Sequence, residues 1–210
     1  MDSTENTIYV FDNCADEYQE KFMDMDLYDD TFDLFCNSID KKNALLLELA
    51  CGPGNITKYL LQKRPDFKIT ATDLSLKMLE LAKKNNPKAD FQMMDCRNIK
   101  SLSQTFDGIM CGFALPYLSK KEGVKLIADA FEILNLNGIL YLSTMEDDHS
   151  KSGFKKSSSG KYQAYINYHE ADYLSEALVK SGFKIISMTR KDFLQNDGTV
   201  TKDLILIARK

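Results

Sequence analysis

From residue 44 onward, short apolar runs alternate with helix-length amphipathic stretches, the pattern that a parallel sheet covered on both faces imposes on its chain. Residues 44–49, 67–72, 90–94, 106–111 and 138–145 read as five successive strands. A helical bundle has no such strands, and a sandwich has no such crossover helices, so the alternation leaves an α/β architecture.

The helices between these strands carry their own punctuation. Asn55 is placed to cap a helix that stops before Pro65, and Ser75 one that stops at Asn85-Asn86-Pro87. Ser119 followed by Glu122 forms a capping box, after which Val124, Ile127, Ala128, Phe131 and Leu134 make one apolar stripe. A helix from about Glu170 to Ser181 ends at Gly182, and two β-type runs then flank Asn196-Asp197-Gly198, a hairpin signal. The expected fold is therefore a doubly wound, mostly parallel, seven-stranded sheet that ends in an antiparallel hairpin.

Two segments stand outside this pattern. Residues 1–40 are acidic and aromatic, with helices expected near 12–22 and 28–39, and read as a lid on a domain spanning 41–210. Residues 146–168 are polar, rich in Ser, Lys and Gly and then in Tyr, and read as a mobile insertion after the fifth strand. Together, residues 1–40 and 150–168 are expected to close over a bound small molecule, with Ser157-Ser158-Ser159-Gly160 as the site where a protease would cut the free protein.

Composition narrows the function classes. A formal charge of -4 argues against a long nucleic-acid track, which needs a basic face. No apolar run approaches membrane-spanning length, and the first ten residues lack the basic and apolar regions of a signal peptide. The five cysteines, Cys14, Cys36, Cys51, Cys96 and Cys111, show no CxxC pairing and suit free thiols in the cytoplasm.

The chemistry points to the first strand–helix turn. Gly52 and Gly54 lie where a ligand gathers beyond the carboxyl ends of parallel strands, and Pro53 stiffens the turn between them. Asp73 ends the second strand, where an acidic side chain accepts both hydroxyls of a ribose; it also stands where a carboxylate favours a helix N-terminus. A dinucleotide would require a third glycine where Thr57 stands, and Glu48 is a poor neighbour for phosphates but suits a cationic ligand.

The run from Glu48 to Gly54 resembles the first motif of class I S-adenosylmethionine-dependent methyltransferases, with Ala50 in place of one family glycine, and the resemblance covers residues 40–210. It implies S-adenosylmethionine as cofactor and a small-molecule methyl acceptor. Glu48, Ala50, Gly52, Gly54, Asp73 and Leu74 would hold its amino-acid end and ribose, and Asp95 and Cys96 its adenine. Gly112 and Phe113 would line the methionine end. The tetrad typical of members that methylate base or protein amines is replaced by Phe113-Ala-Leu-Pro-Tyr117, which argues against a nucleic-acid acceptor.

Tyr18, Tyr117, Tyr165 and Tyr168 are the expected acceptor-binding residues. His169 and Tyr165 are candidate catalytic groups, against the alternative that His169 merely precedes a helix. The Glu146-Asp147-Asp148-His149 run has metal-ligand chemistry but reads as solvated loop, so no metal is expected. Two rival functions remain: a nicotinamide-dependent oxidoreductase, and a protein that binds S-adenosylmethionine without turnover.

Overall fold

A computed structural model describes residues 3–156, 160–195 and 198–210. Its elements run α1 (Ser3–Phe22), α2 (Asp29–Asn37), β1 (Leu45–Leu49), α3 (Asn55–Lys63), β2 (Lys68–Asp73), α4 (Leu76–Asn85) and β3 (Asp90–Met93). They continue β4 (Phe106–Cys111), α5 (Lys120–Ile133), β5 (Leu134–Glu146), β6 (Gly153–Lys156), β7 (Gln163–Ile166), α6 (Ala171–Ser181), β8 (Lys184–Leu194) and β9 (Val200–Arg209).

Seven strands form one sheet in the order β3-β2-β1-β4-β5-β9-β8. β1 to β5 pair in parallel, and β9 runs antiparallel between β5 and β8, as the alternation and the terminal hairpin signal predict. The chain winds outward from β1 through β2 to β3, then returns to place β4 on the other side of β1. That reversal opens a crevice beyond the carboxyl ends of β1 and β4, the place where open α/β sheets bind ligands.

The apolar runs of the central strands are explained by burial on both faces. Leu47, Leu49, Ile109 and Cys111 face α5 and α6, packing with Ile127 and Leu174. Leu46, Met110 and Tyr141 face the other way, against Phe35 of α2, Leu60 of α3 and Leu79 of α4. Each such side chain removed from water contributes roughly 1.5–3 kcal/mol.

Five local expectations are corrected. First, α2 is core: Phe32, Phe35 and Cys36 pack on β1 and β4 through Leu46 and Met110, so the segment outside the core is α1 alone and not residues 1–40. Second, α1 begins at Ser3, well before residue 12. Third, the cap of α3 is Gly54 in a left-handed conformation, and Asn55 is already helical. Fourth, the buried stripe of α5 is Gly123, Leu126, Ile127, Ala130 and Ile133, one residue out of phase with the expected one, and Val124 is 42% exposed. Fifth, the insertion contains an antiparallel hairpin of its own, with Phe154 opposite Tyr165. Ser157-Ser158-Ser159 and the Asn196-Asp197 turn lie outside the described residues. The caps at Ser75 and Ser119 are as expected: Ser75 Oγ accepts from Met78 N, and Ser119 and Glu122 complete a capping box.

No described helix is long and apolar enough to cross a membrane.

Candidate active site

The turn after β1 places Ala50, Gly52 and Gly54 in the left-handed region, at φ 51°, 53° and 82°. Alternate left-handed residues coil the chain sharply from strand into α3, and only glycine does so without strain. The two glycines nevertheless serve different masters. A Cβ on Gly54 would lie 2.4 Å from Asn86 Nδ2 and 3.2 Å from Ala82 Cα, so this glycine lets α3 sit against α4. Asn86 Nδ2 also donates to the Gly54 carbonyl at 2.8 Å. A Cβ on Gly52 would meet only Tyr18 Cε1, at 3.7 Å, and otherwise open space.

That space is an open-mouthed cavity. Of the cofactor residues expected from the sequence, Ala50, Gly52, Asp73, Leu74, Asp95, Cys96, Gly112 and Phe113 line it, and so do Tyr18 and Tyr117 from the expected acceptor set. Glu48 and Gly54 stand behind the wall.

Asp73 is tied at both oxygens: Oδ2 accepts from Gly52 N at 2.9 Å and Oδ1 from Ser75 N at 2.8 Å. A carboxylate oxygen has two lone pairs, so one on each remains for a ligand. Burial pushes its carboxyl above the ordinary aspartate range, against these backbone N–H groups.

Asp95 has less to offer. Its carboxylate is gripped by the Arg97 guanidinium at 2.6–3.0 Å and also accepts from Arg97 N at 2.9 Å. Burial alone would raise its pKa, but these bonds hold it below the usual range. Arg97, itself in the wall and bonded to Glu122 at 3.2 Å, makes this end of the cavity a fixed ion-pair network.

Phe113 follows β4 at φ 58°, an unusual conformation for an aromatic residue, and its N–H is held by Ser143 Oγ at 3.0 Å. Strain of this kind concentrates at ligand sites, where the surrounding structure enforces it. Behind it, the Tyr28 ring lies 5.3 Å away and the Tyr28 hydroxyl donates to buried Asp203 Oδ2 at 2.6 Å.

Glu48 is 1% exposed; Oε2 accepts from Thr57 Oγ1 at 2.6 Å, and Oε1 has no hydrogen-bond partner. Burial pushes its pKa up to about 8, so the ligand-free carboxyl holds its proton at neutral pH. Thr57 is thus engaged with Glu48 at the position where a dinucleotide fold keeps a glycine.

Several of the lining residues absent from the expected site come from α1. Thr4, Thr7, Ile8 and Phe11 line the cavity with Tyr18. Asp12 Oδ1 accepts from Ser75 Oγ at 2.6 Å, and Gln19 Oε1 accepts from Asn85 Nδ2 at 2.7 Å, which bolts α1 across the glycine turn and α4. Its other flank meets the insertion, where Asn6 Nδ2 donates to the Gln163 carbonyl at 2.7 Å. The one available signal was the crowding of aromatics at Phe11, Tyr18 and Phe22.

Three expected site residues lie elsewhere. His169 is fully buried, with Nε2 donating to the Leu115 carbonyl at 2.8 Å and Nδ1 accepting from the Tyr173 hydroxyl. Burial lowers its pKa, so it is a neutral core imidazole with both nitrogens engaged and no route to an acceptor. Tyr165 packs edge-on against Phe154 within the β6–β7 hairpin, and Tyr168 lies under the Lys155 ammonium, 5.5 Å from its ring centroid; neither reaches the cavity. The acidic run is taken up by neighbours: Glu146 binds Arg190, Asp147 binds Lys151, and Asp148 caps a short 3-10 helix. Among the described residues, no group of His, Cys, Asp or Glu converges as a metal site.

Comparison with known proteins agrees with this geometry. Residues 46–138 match the methyltransferase domain family. An uncharacterized methyltransferase of Alkaliphilus oremlandii is 29% identical over 66% of this chain and 61% of its own length. The demethylmenaquinone methyltransferase of Thermotoga maritima is 25% identical over 67% of this chain and 70% of its own. A magnesium protoporphyrin IX methyltransferase structure from Synechocystis superposes with a TM-score of 0.72 at 16% identity, covering 100% of this chain and 98% of that one. Over residues 46–138 the chain thus resembles methyltransferase domains, and its fold is that of the superposed methyltransferase structure.

Proposed function

We propose that this protein transfers a methyl group from S-adenosylmethionine to a small-molecule acceptor, in the cytoplasm. The observation that carries this reading is the joint geometry of Gly52 and Asp73: a backbone stripped of side chain faces the cavity, and a carboxylate bonded to that backbone keeps one lone pair per oxygen for a ribose. The residues present fit the cofactor. Asp73 would take the ribose hydroxyls, Gly52 and Ala50 the amino-acid end, and Cys96 with the Asp95–Arg97 pair the adenine. Glu48 stands behind the turn and would support it through Thr57.

The bound cofactor supplies an electrophilic methyl carbon, and the protein contributes position and dryness. Phe11, Tyr18, Phe113 and Tyr117 form an apolar wall, while α1 roofs the cavity. The wall holds no histidine, and its two carboxylates are engaged by N–H and guanidinium donors, so positioning rather than general-base catalysis dominates. The Thermotoga relative is named for demethylmenaquinone, which supports a non-macromolecular acceptor here. The nicotinamide alternative is disfavoured by Thr57, whose hydroxyl is bonded to Glu48.

A metabolite-extract screen read by mass spectrometry tests the activity: an adenosylmethionine-dependent mass gain of one methyl group is expected. Calorimetry that finds NADH bound, and adenosylmethionine unbound, would overturn the reading. Adenosylmethionine binding with no product from any extract would favour a non-catalytic binder.

A further inference from the structure

Three aromatic rings meet at one corner of the cavity. Phe11 stands edge-on to Tyr18, with centroids 5.7 Å apart and planes at 81°, and edge-on to Tyr117 at 5.2 Å and 86°. All three line the same space, yet they come from both ends of the site: two from α1 and one from the segment after β4. Perpendicular rings around a void present π-faces from more than one direction, the arrangement that receives a cation. Each protein cation that sits over a ring among the described residues lies on a different one, such as Lys21 on Phe22 and Phe193, or Arg64 on Phe67. The corner is left to a ligand.

The position of the corner says which part of a ligand. Tyr18 Cε1 is 3.7 Å from where a Gly52 Cβ would stand, and Gly52 N is 2.9 Å from Asp73 Oδ2. In S-adenosylmethionine the sulfur is the atom that joins the ribose to the amino-acid chain, so a molecule with its ribose on Asp73 and its amino-acid end on Gly52 carries its sulfonium between them, under the Tyr18 ring. We infer that Phe11, Tyr18 and Tyr117 form a charge-reading corner that holds the sulfonium of the cofactor and distinguishes it from the neutral thioether left after methyl transfer. The inference rests on the cofactor reading above and adds a product-release function to α1. Loss of positive charge removes the attraction between lid and ligand at the moment the reaction is complete. Burial, assisted by the nearby Asp73 charge, pushes both phenols well above their ordinary range, so the rings meet the ligand as neutral π-systems.

The test is calorimetry with S-adenosylmethionine and S-adenosylhomocysteine, without acceptor, on the full chain and on Tyr18→Leu, Tyr117→Leu, Tyr18→Phe and Tyr117→Phe. Each Leu variant is expected to shift the ratio of the two affinities toward the thioether by about three- to thirtyfold, and each Phe variant to keep the original ratio. Equal losses for both ligands in the Leu variants would overturn the inference, as would a Phe variant that shifts the ratio as far as Leu does. An unchanged ratio throughout would assign the corner to a cationic acceptor instead and overturn it equally. Failure of the wild-type chain to bind either molecule is a different result, and it defeats the cofactor reading itself. Where a Leu variant does not fold, the Phe variants and the other Leu variant still decide.

Discussion

The Gly52 N–H donates to Asp73 Oδ2 at 2.9 Å, so the turn after β1 and the end of β2 are one rigid unit. A ligand that binds either residue is thereby registered against the other.

The first prediction follows from that bond. Asp73→Ala should lower affinity for S-adenosylmethionine about ten- to hundredfold, the loss of roughly 1.5–3 kcal/mol of charge-assisted bonding. Asp73→Asn, which keeps one acceptor oxygen, should lose less. Calorimetry on both checks the order; equal affinity in all three chains would remove Asp73 from the site.

The two glycines should separate stability from binding. Gly54→Ala puts a methyl group against Asn86 and the Ala82 backbone and should lower the melting temperature of the free protein. Gly52→Ala faces the cavity and shares the left-handed strain, so its larger effect should appear in cofactor affinity. Thermal melts and calorimetry on the pair suffice, and a reversed pattern would place the ligand elsewhere.

Ala50 holds a conformation that costs an L-residue about 1–2 kcal/mol. Ala50→Gly should relieve it, offset by about 0.5–1 kcal/mol of extra chain entropy when unfolded. A net gain of about 0.5–1 kcal/mol in urea denaturation is expected; a clear loss would mean that the alanine methyl makes packing contacts worth more than the strain.

Removing residues 1–22 should weaken cofactor binding as well as methyl transfer, because Thr4, Thr7, Ile8, Phe11 and Tyr18 line the cavity itself. This reverses what the sequence suggests, which is a lid over the acceptor alone. Undiminished cofactor affinity in the truncated protein would return α1 to that narrower role.

The last prediction concerns pH. Glu48 is raised by burial to about 8, above its unfolded value near 4.3, so the folded state holds this proton more tightly. Its contribution to stability is full below the unfolded value and is lost as pH rises through about 8. Glu48→Gln keeps an acceptor for Thr57 and cannot ionise. The stability difference between variant and wild type should therefore move in favour of the variant from pH 5 to pH 8.5, measured by urea unfolding. Asp203, raised by burial to about 6, contributes with the same sign at lower pH in both proteins, so it cancels in the comparison.

What was readable in the chain was whatever depends on near neighbours. The strand periodicity, the Ser75 cap and the Ser119–Glu122 box are local, and each matches the structure. That Gly52 and Asp73 would line a cavity was legible because a strand end followed by a glycine turn has few uses. Gly54 was misassigned to the ligand because residue type alone does not reveal that Asn86, far along the chain, fills the space beside it. The same limit hid α1: the bond from Ser75 to Asp12 joins residues 63 apart. His169 looked chemical because an imidazole beside tyrosines resembles a site, and only burial shows both nitrogens engaged. Asp203 escaped notice because its meaning lies in the Tyr28 phenol, far away along the chain.

That phenol, Tyr28, is 175 residues from its partner, and the partner lies on β9. β9 inserts between β5 and β8, so during synthesis the long edge of β5 from Ile139 to Glu146 stays unpaired until β9 has left the ribosome. An open edge of that length invites pairing with another chain. Growth of the polypeptide thus passes through an interval in which the Tyr28 hydroxyl lacks its Asp203 partner, and a product cut short before β9 would keep that edge open and be prone to aggregate.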